Sequence, residues 1–408
     1  MKTILVTAYA VNPYKGSEDG MGWNFIVQIA RFQKVIAITR ENNKSAIEKY
    51  MAEKPSDNIY SNIDFKYFDL PYWARFWKKG SRGAMLYYIL WQKNIVGFIK
   101  KNKLCFDISH NLNFHNDWTP SYLYKLKKPF VWGPIGHHSK IPIPYLALYK
   151  KSYLFKDQLT WLVKKFFWNL SFPLKQTIKN ADVILAMNKS VEKQIPAIQG
   201  KYRIFPSVAT QDFGKTTKNS DPKSFTIISA GRFVPLKGFD LTILSFSKFL
   251  KTIPNGDIQN IKLILVGSGP EKNLLHKLVE NEGISQNVQF IEWIERQKLM
   301  KLYADSSVFL FPSHEGAGMV VAEALSFGLP VICLDNDGPG EFVNEKCAFT
   351  VRKNSLEKTT DDLASKLETL YFDKNLRLKM SQEARFHFEN NFDWQIRGVQ
   401  LKGIYQAL

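Results

Sequence analysis

Two glutamates, Glu315 and Glu323, bracket the stretch Gly316-Ala317-Gly318-Met319-Val320, and this spacing puts both acids around the opening of one helix. The run before them, Ser307-Val-Phe-Leu-Phe311, is β-branched and aromatic, and Pro312-Ser313 ends it. A strand is therefore expected over 308–311, with Glu315 at its carboxyl edge. Glycine lets backbone approach a ligand, and the first N–H groups of a helix have no partner within it, so the turn suits an anion or hydroxyl oxygens. Carboxylates accept hydrogen bonds from neighbouring ribose hydroxyls, so two spaced glutamates suit a ligand with two hydroxylated rings. The alternative is a capped surface helix with solvated glutamates.

A second segment favours the ligand reading. Gly231-Arg-Phe-Val-Pro-Leu-Lys237-Gly238 follows another strand-like run, Phe225–Ala230, and flanks one turn with a guanidinium and an ammonium. Arginine grips phosphate with a planar fork and lysine as a point charge, and a helix beginning near Phe239 adds its amides. Together they would neutralise a diphosphate.

With both segments in view, the chain resembles family-4 retaining glycosyltransferases of the GT-B fold, whose pattern is Gly-Arg, a short spacer, Lys-Gly, and later Glu, seven residues, Glu. The resemblance implies that Arg232 and Lys237 bind the donor diphosphate, Glu315 the donor sugar, Gly316 to Met319 with Val320 the sugar and phosphate through backbone, and Glu323 the ribose. It extends to the N-terminal part, which matches a subgroup carrying Gly16-Ser17-Glu18, Gly20-Met21-Gly22-Trp23 and a turn from Trp132 to Gly136. Two departures stand out: His137-His138 replaces further glycine after that turn, and Gly-Ala-Gly-Met replaces the usual Gly-Phe-Gly-Leu.

The elements that must position these residues alternate in type. Strand-like runs at 3–10, 35–39, 106–111, 130–133 and 183–187, then at 225–230, 261–266, 288–293, 308–311 and 329–334, are separated by helical patterns. This rhythm predicts an α/β protein of βαβ units, two Rossmann-like, doubly wound parallel-sheet domains facing a cleft. The polar stretch Gln211 to Pro222 marks the boundary. The expected division is 1–210 for acceptor binding, 211–390 for the nucleotide sugar, and 391–408 as a helix returning to the first domain. In such sheets ligands sit beyond the carboxyl ends of strands, where Gly231, Gly267, Gly269 and the turn Asp337-Gly-Pro-Gly340 also fall.

For the acceptor side, His110 follows a strand and relatives place a histidine near the donor sugar; His115, His137 and His138 compete with it, and each has the ordinary reading of a satisfied structural histidine. Gly16 and Ser17 lie after the first strand, where free N–H groups meet phosphate or acceptor, and Glu18 either joins them or caps the helix through Trp23 and Phe25. Trp132 is assigned with Glu18, His137 and His138 to the acceptor. The resulting expectation is a metal-independent, retaining hexosyltransferase that needs no cofactor and moves sugar from a UDP-sugar to a lipid-linked or polysaccharide acceptor. The alternatives are a small soluble acceptor, a nucleotide-sugar epimerase, or a scaffold without activity.

Charge bears on partners. The net charge is +19, and residues 1–205 carry all of it, with 32 Lys+Arg against 13 Asp+Glu. No helix-turn-helix, RNA-binding aromatic pair or zinc spacing accompanies it, so nucleic acid is not expected. Phe155, Leu159, Leu162 and Phe166 form a helical stripe beside Lys156, Lys164, Lys165, Trp161 and Trp168, and Trp73, Trp77, Lys78, Lys79 and Arg82 form a second aromatic-basic cluster. Both fit an anionic membrane surface; the alternative is ordinary packing with solvated lysines. No apolar run reaches the roughly 18 residues that span a bilayer, and three scattered cysteines suggest neither disulfides nor a metal site. The expected location is the cytoplasm, peripheral to the inner face of the cell membrane.

Overall fold

Among the described residues, thirteen strands form two all-parallel sheets. The first contains β1 (Thr3–Thr7), β2 (Lys34–Thr39), β3 (Ile63–Tyr67), β4 (Ile108–Asn111), β5 (Phe130–Ile135), β6 (Val183–Ala186) and β7 (Tyr202–Ile204), in the order β3-β2-β1-β4-β5-β6-β7. The second contains β8 (Phe225–Ala230), β9 (Ile261–Val266), β10 (Val288–Ile291), β11 (Val308–Phe311), β12 (Val331–Leu334) and β13 (Ala348–Val351), in the order β10-β9-β8-β11-β12-β13. The computed structural model describes residues 1–55, 58–80, 83–112, 116–198, 200–214, 224–292 and 294–408. His115, Arg82 and Trp293, and most of the expected linker, lie outside them.

Parallel sheets covered on both faces need strands that are apolar throughout, because alternate side chains enter opposite cores. The second sheet shows this directly. Ile227, Leu263, Leu265, Val308, Leu310, Ile332 and Leu334 enter one buried cluster, while Ile228, Ile264, Val266, Phe309, Phe311, Val331 and Cys333 enter another. Cys333 and Cys347 are buried free thiols and Cys105 is exposed.

The chain divides into two compact units, one of Met1–His137, Phe155–Ser207 and Trp394–Leu408, the other of His138–Leu154 and Val208–Asp393. The sequence division assigned 138–154 to the first domain, whereas this segment is anchored in the second unit by two tyrosines. Tyr145 Oη donates to the Asn354 carbonyl at 2.9 Å and is 2.6 Å from Thr359 Oγ1. The Tyr149 hydroxyl faces the buried Asp240 carboxylate closely enough to shift its titration. Ile141, Tyr145, Leu146 and Tyr149 belong to the second unit's core. Within the first unit, the helix Trp394–Gln406 packs on the helix Ser17–Ala30, with Trp394 edge-on to Phe25 at 5.4 Å.

Candidate active site

Four loops leave the carboxyl ends of adjacent strands in the second unit: after β9, β8, β11 and β12. Close backbone contacts tie them together. Gly267 has φ +151°, and a Cβ there would lie 1.8 Å from the Gly231 carbonyl oxygen. Gly238, with φ +67°, opens the helix Phe239–Leu250, and a Cβ there would lie 2.1 Å from the Pro312 carbonyl oxygen. No side chain fits either position, so glycine sets how near these loops come. The Leu236 carbonyl accepts from the His314 amide at 2.8 Å and from Ser313 Oγ at 3.2 Å. Asn336 donates to the Ser313 carbonyl and accepts from the Gly338 and Gly340 amides.

This scaffold brings Lys237 onto Glu315. The ammonium lies 2.8 and 2.7 Å from the two carboxylate oxygens, and the side chains are 20% and 14% exposed. The sequence assigned the two residues separate partners; in the structure each is first the partner of the other. Arg232 stands exposed one residue beyond Gly231. Gly316, Ala317 and Gly318 form the loop ahead of the helix Met319–Ser326, whose opening amides at Met319 and Val320 have no carbonyl one turn back within the helix. Gly269 follows in the loop after β9, where a Cβ would lie 2.3 Å from the Phe233 carbonyl oxygen.

Glu323, inside that helix, is buried, and it accepts from Arg296 Nη2 at 2.8 Å. Arg296 was missed by the sequence reading; it opens the helix Arg296–Ala304, and nothing in its local pattern announces a carboxylate 27 residues later. His314 was missed as well. It is 4% exposed, and its ring meets Tyr145 edge-on at 5.5 Å. Burial, with the charges of Lys353 and His138 nearby, pushes its pKa down to about 3, so the ring is neutral. Its Nδ1 has no hydrogen-bond partner among the described residues.

The remaining expected residues are distributed differently. His138 belongs to the second unit and its Nδ1 lies 3.3 Å from the Ser139 carbonyl. In the first unit, Gly16 and Ser17 are exposed at the start of the helix Ser17–Ala30, with Glu18 in its first turn. His137 follows β5 and pairs through Nδ1 with Asp117 at 2.9 Å, beside the Trp168 ring at 5.5 Å.

Two acceptor-side expectations are corrected. His110 is fully buried, with Nδ1 on the Tyr405 hydroxyl and Nε2 at 2.7 Å from the Gly133 carbonyl, so neither nitrogen is available to a substrate. Burial holds its pKa at about 4 despite the Gly133 contact. Trp132 is 1% exposed in the core, within a strand that continues where a turn was expected. β5 runs on through a cis Gly133–Pro134 peptide and a shift of register against β6.

Among the described residues, no group of three His, Cys, Asp or Glu side chains is placed to hold a metal ion. Nor, among them, is any helix long and apolar enough to cross a membrane.

Residues 210–387 match the family model described as Glycosyl transferases group 1. A GDP-mannose-dependent monoacylated alpha-(1-6)-phosphatidylinositol monomannoside mannosyltransferase of Corynebacterium glutamicum is 29% identical over 184 residues, 43% of this chain and 45% of that protein. The capsular polysaccharide biosynthesis glycosyltransferase CapM of Staphylococcus aureus is 31% identical over 186 residues, 45% of this chain and 46% of its own length. The chain spans about half the length of the curated relatives it matches. Among solved structures, Anabaena Alr3699/HepE in complex with UDP superposes with a TM-score of 0.65 at 15% identity, covering 100% of both chains. WaaG, a glycosyltransferase involved in lipopolysaccharide biosynthesis, superposes at 0.59 with 16% identity, over 97% of this chain and 98% of that one. The fold is thus GT-B, two parallel-sheet α/β domains, and the match to the glycosyl transferases group 1 model falls on the second.

Proposed function

We propose that this protein is a nucleotide-sugar-dependent hexosyltransferase that acts with retention and without a metal, passing sugar from a UDP-sugar to a hydroxyl of a lipid-linked or polysaccharide acceptor. The observation that carries the reading is the Lys237–Glu315 pair at the carboxyl edge of the second sheet, beside the glycine loops and the opening amides of the helix Met319–Ser326. Departure of a nucleoside diphosphate from a sugar develops negative charge on the leaving oxygen and positive character on the sugar carbon. Preorganised positive groups lower that barrier. Lys237, Arg232 and the amides at Met319 and Val320 are the groups for the diphosphate, and Glu315 accepts from donor-sugar hydroxyls while keeping Lys237 in place. Glu323, already oriented by Arg296, presents its second oxygen to the ribose. On the acceptor side, the His137–Asp117 pair and the amides near Gly16 and Ser17 replace the buried His110 and Trp132 as contacts.

Two features support an acceptor at an anionic bilayer, in keeping with the lipid and polysaccharide names of the relatives. On the helix Lys151–Leu170, Phe155, Leu159, Leu162 and Phe166 are exposed by 72, 51, 65 and 55%, flanked by exposed Lys156 and Lys165. Trp73 is 76% exposed as well. Part of the expected pattern is structural instead, since Lys164 is buried against the Trp161 ring.

Thermal unfolding with a panel of nucleotide sugars tests the donor: a ligand at 100 times its dissociation constant stabilises by about 2.7 kcal/mol. The absence of any stabilising nucleotide sugar refutes the reading. Sedimentation with anionic vesicles at low salt tests the bilayer, and no binding there leaves a soluble acceptor.

A further inference from the structure

We propose that a cavity in the first unit holds one anionic phospholipid by its headgroup and the upper part of its acyl chains. The cavity, about 580 Å³, lies between the end of the helix Lys151–Leu170, the helix Phe172–Asn180 and the segment 194–197. Leu174, Ile178, Ile195 and Trp168 give it an apolar lining. Its charged lining residues are Lys175, Lys179 and Lys201, all exposed, and among the described residues no carboxylate lines it. The nearby acids are occupied elsewhere: Glu192 accepts from the Tyr202 hydroxyl and Asp182 from the Phe130 amide. Lys201 Nζ donates to the Lys179 carbonyl at 2.7 Å, which places one ammonium at the C-terminal turn of the helix and leaves two of its protons for a ligand.

A cavity with an apolar wall, two amides (Asn169 and Gln194) and three lysines in its lining is complementary to an amphiphile carrying negative charge, and basic pockets of this kind take lipid headgroups. Its surroundings point the same way. Leu170 and Phe172, 69% and 68% exposed, continue the stripe of Leu162 and Phe166 to the edge of the cavity. A bilayer lying against that stripe would bring phosphates and acyl chains to the entrance. Lys179 and Lys201 stand just ahead of β6 and β7, at the amino ends of the sheet. Trp168 lines the cavity and also meets the His137 ring at 5.5 Å, so the cavity adjoins the acceptor side through that ring; its lysines lie at the other end of the sheet, where a bound lipid would act as an anchor.

The assignment rests on the bilayer reading of the exposed helix, and the test separates the two. Full-length protein is titrated calorimetrically with dihexanoyl phosphatidylglycerol below its micellar threshold, and vesicle sedimentation is run in parallel. One lipid per chain is expected, with affinity reduced at least about tenfold both by Ala197→Trp, which fills the cavity, and by the joint change of Lys175, Lys179 and Lys201 to glutamine. Inorganic phosphate and a neutral hexyl glycoside are expected not to compete. Equal binding by either probe, or unchanged affinity in both variants, overturns the proposal. Vesicle binding without uptake of the short-chain lipid overturns it while sparing the bilayer reading. Uptake of the short-chain lipid without vesicle binding supports the cavity and defeats that reading instead.

Discussion

Replacing Lys237 by methionine separates the two things this side chain does. The stem lies against Gly231 and the ammonium sits 5.3 Å from the Phe311 ring centre, so methionine keeps most of the packing and loses only the charge. Glu315, 14% exposed, then holds a carboxylate without its partner. A hydrogen bond to a charged group contributes about 1.5–3 kcal/mol, and the pair's partial exposure places it toward the low end, so a loss of roughly 1–2 kcal/mol of stability is expected. Turnover should fall further, by about 10²–10³-fold, the effect of removing one charge-stabilising donor from a transition state. Combining Lys237→Met with Glu315→Gln removes the stranded charge, so stability should return to within about 0.5 kcal/mol of the original. Turnover should not return. Urea unfolding and initial rates of sugar transfer read the two quantities separately. Recovery of turnover in the double variant would show that Lys237 acts only by neutralising the Glu315 carboxylate, and near-normal turnover in the single variant would remove it from the chemistry altogether.

Other substitutions probe neighbouring features. Arg232→Ala should lower turnover by at least about 10²-fold with an unchanged melting temperature, because the side chain is exposed; a kinetic effect smaller than tenfold counts against its assignment to the diphosphate. Gly238→Ala forces a Cβ to 2.1 Å from the Pro312 carbonyl oxygen at φ +67°, and a loss of at least about 2 kcal/mol should appear in urea unfolding. Asp240 offers a pH test. Burial raises its carboxyl pKa from 3.8 to about 6, opposed by the Tyr149 hydroxyl. A folded-state value above the unfolded one means that the ionised acid costs stability above pH 6, and that the cost fades as pH falls from 6 toward 3.8. Asp240→Asn should accordingly be more stable than the original protein near pH 7.5, by on the order of 1–3 kcal/mol, with the gap closing near pH 4. A gap of the same size at both pH values contradicts this account.

The interior strands were legible in the residues because a parallel strand buried on both faces must be apolar throughout. Phe225–Ala230, Ile261–Val266 and Val308–Phe311 form strands over the spans expected. The three strands that went unread, β3, β7 and β13, are all edge strands. With a neighbour on one side only, they are half solvated. Ile63-Asp-Phe-Lys-Tyr67 alternates apolar with charged residues, and Tyr202–Ile204 is three residues long.

Taken alone, the sequence determined which residue types stand at the strand ends: glycines where loops must touch, an arginine and a lysine after β8, two glutamates around the turn after β11. Those are local properties, set by side-chain chemistry and by spacing along one segment. Only the tertiary structure decided how the charges pair. Lys237 and Glu315 are 78 positions apart and meet because β8 and β11 are neighbours, while Glu323 takes Arg296 from another helix. The same holds for His110 and Trp132, whose composition suited a binding site but whose strands run through the middle of a sheet, where burial and internal hydrogen bonds leave them nothing to offer a ligand. Burial and long-range pairing depend on which segments become neighbours in space, and spacing along a single segment carries no record of that.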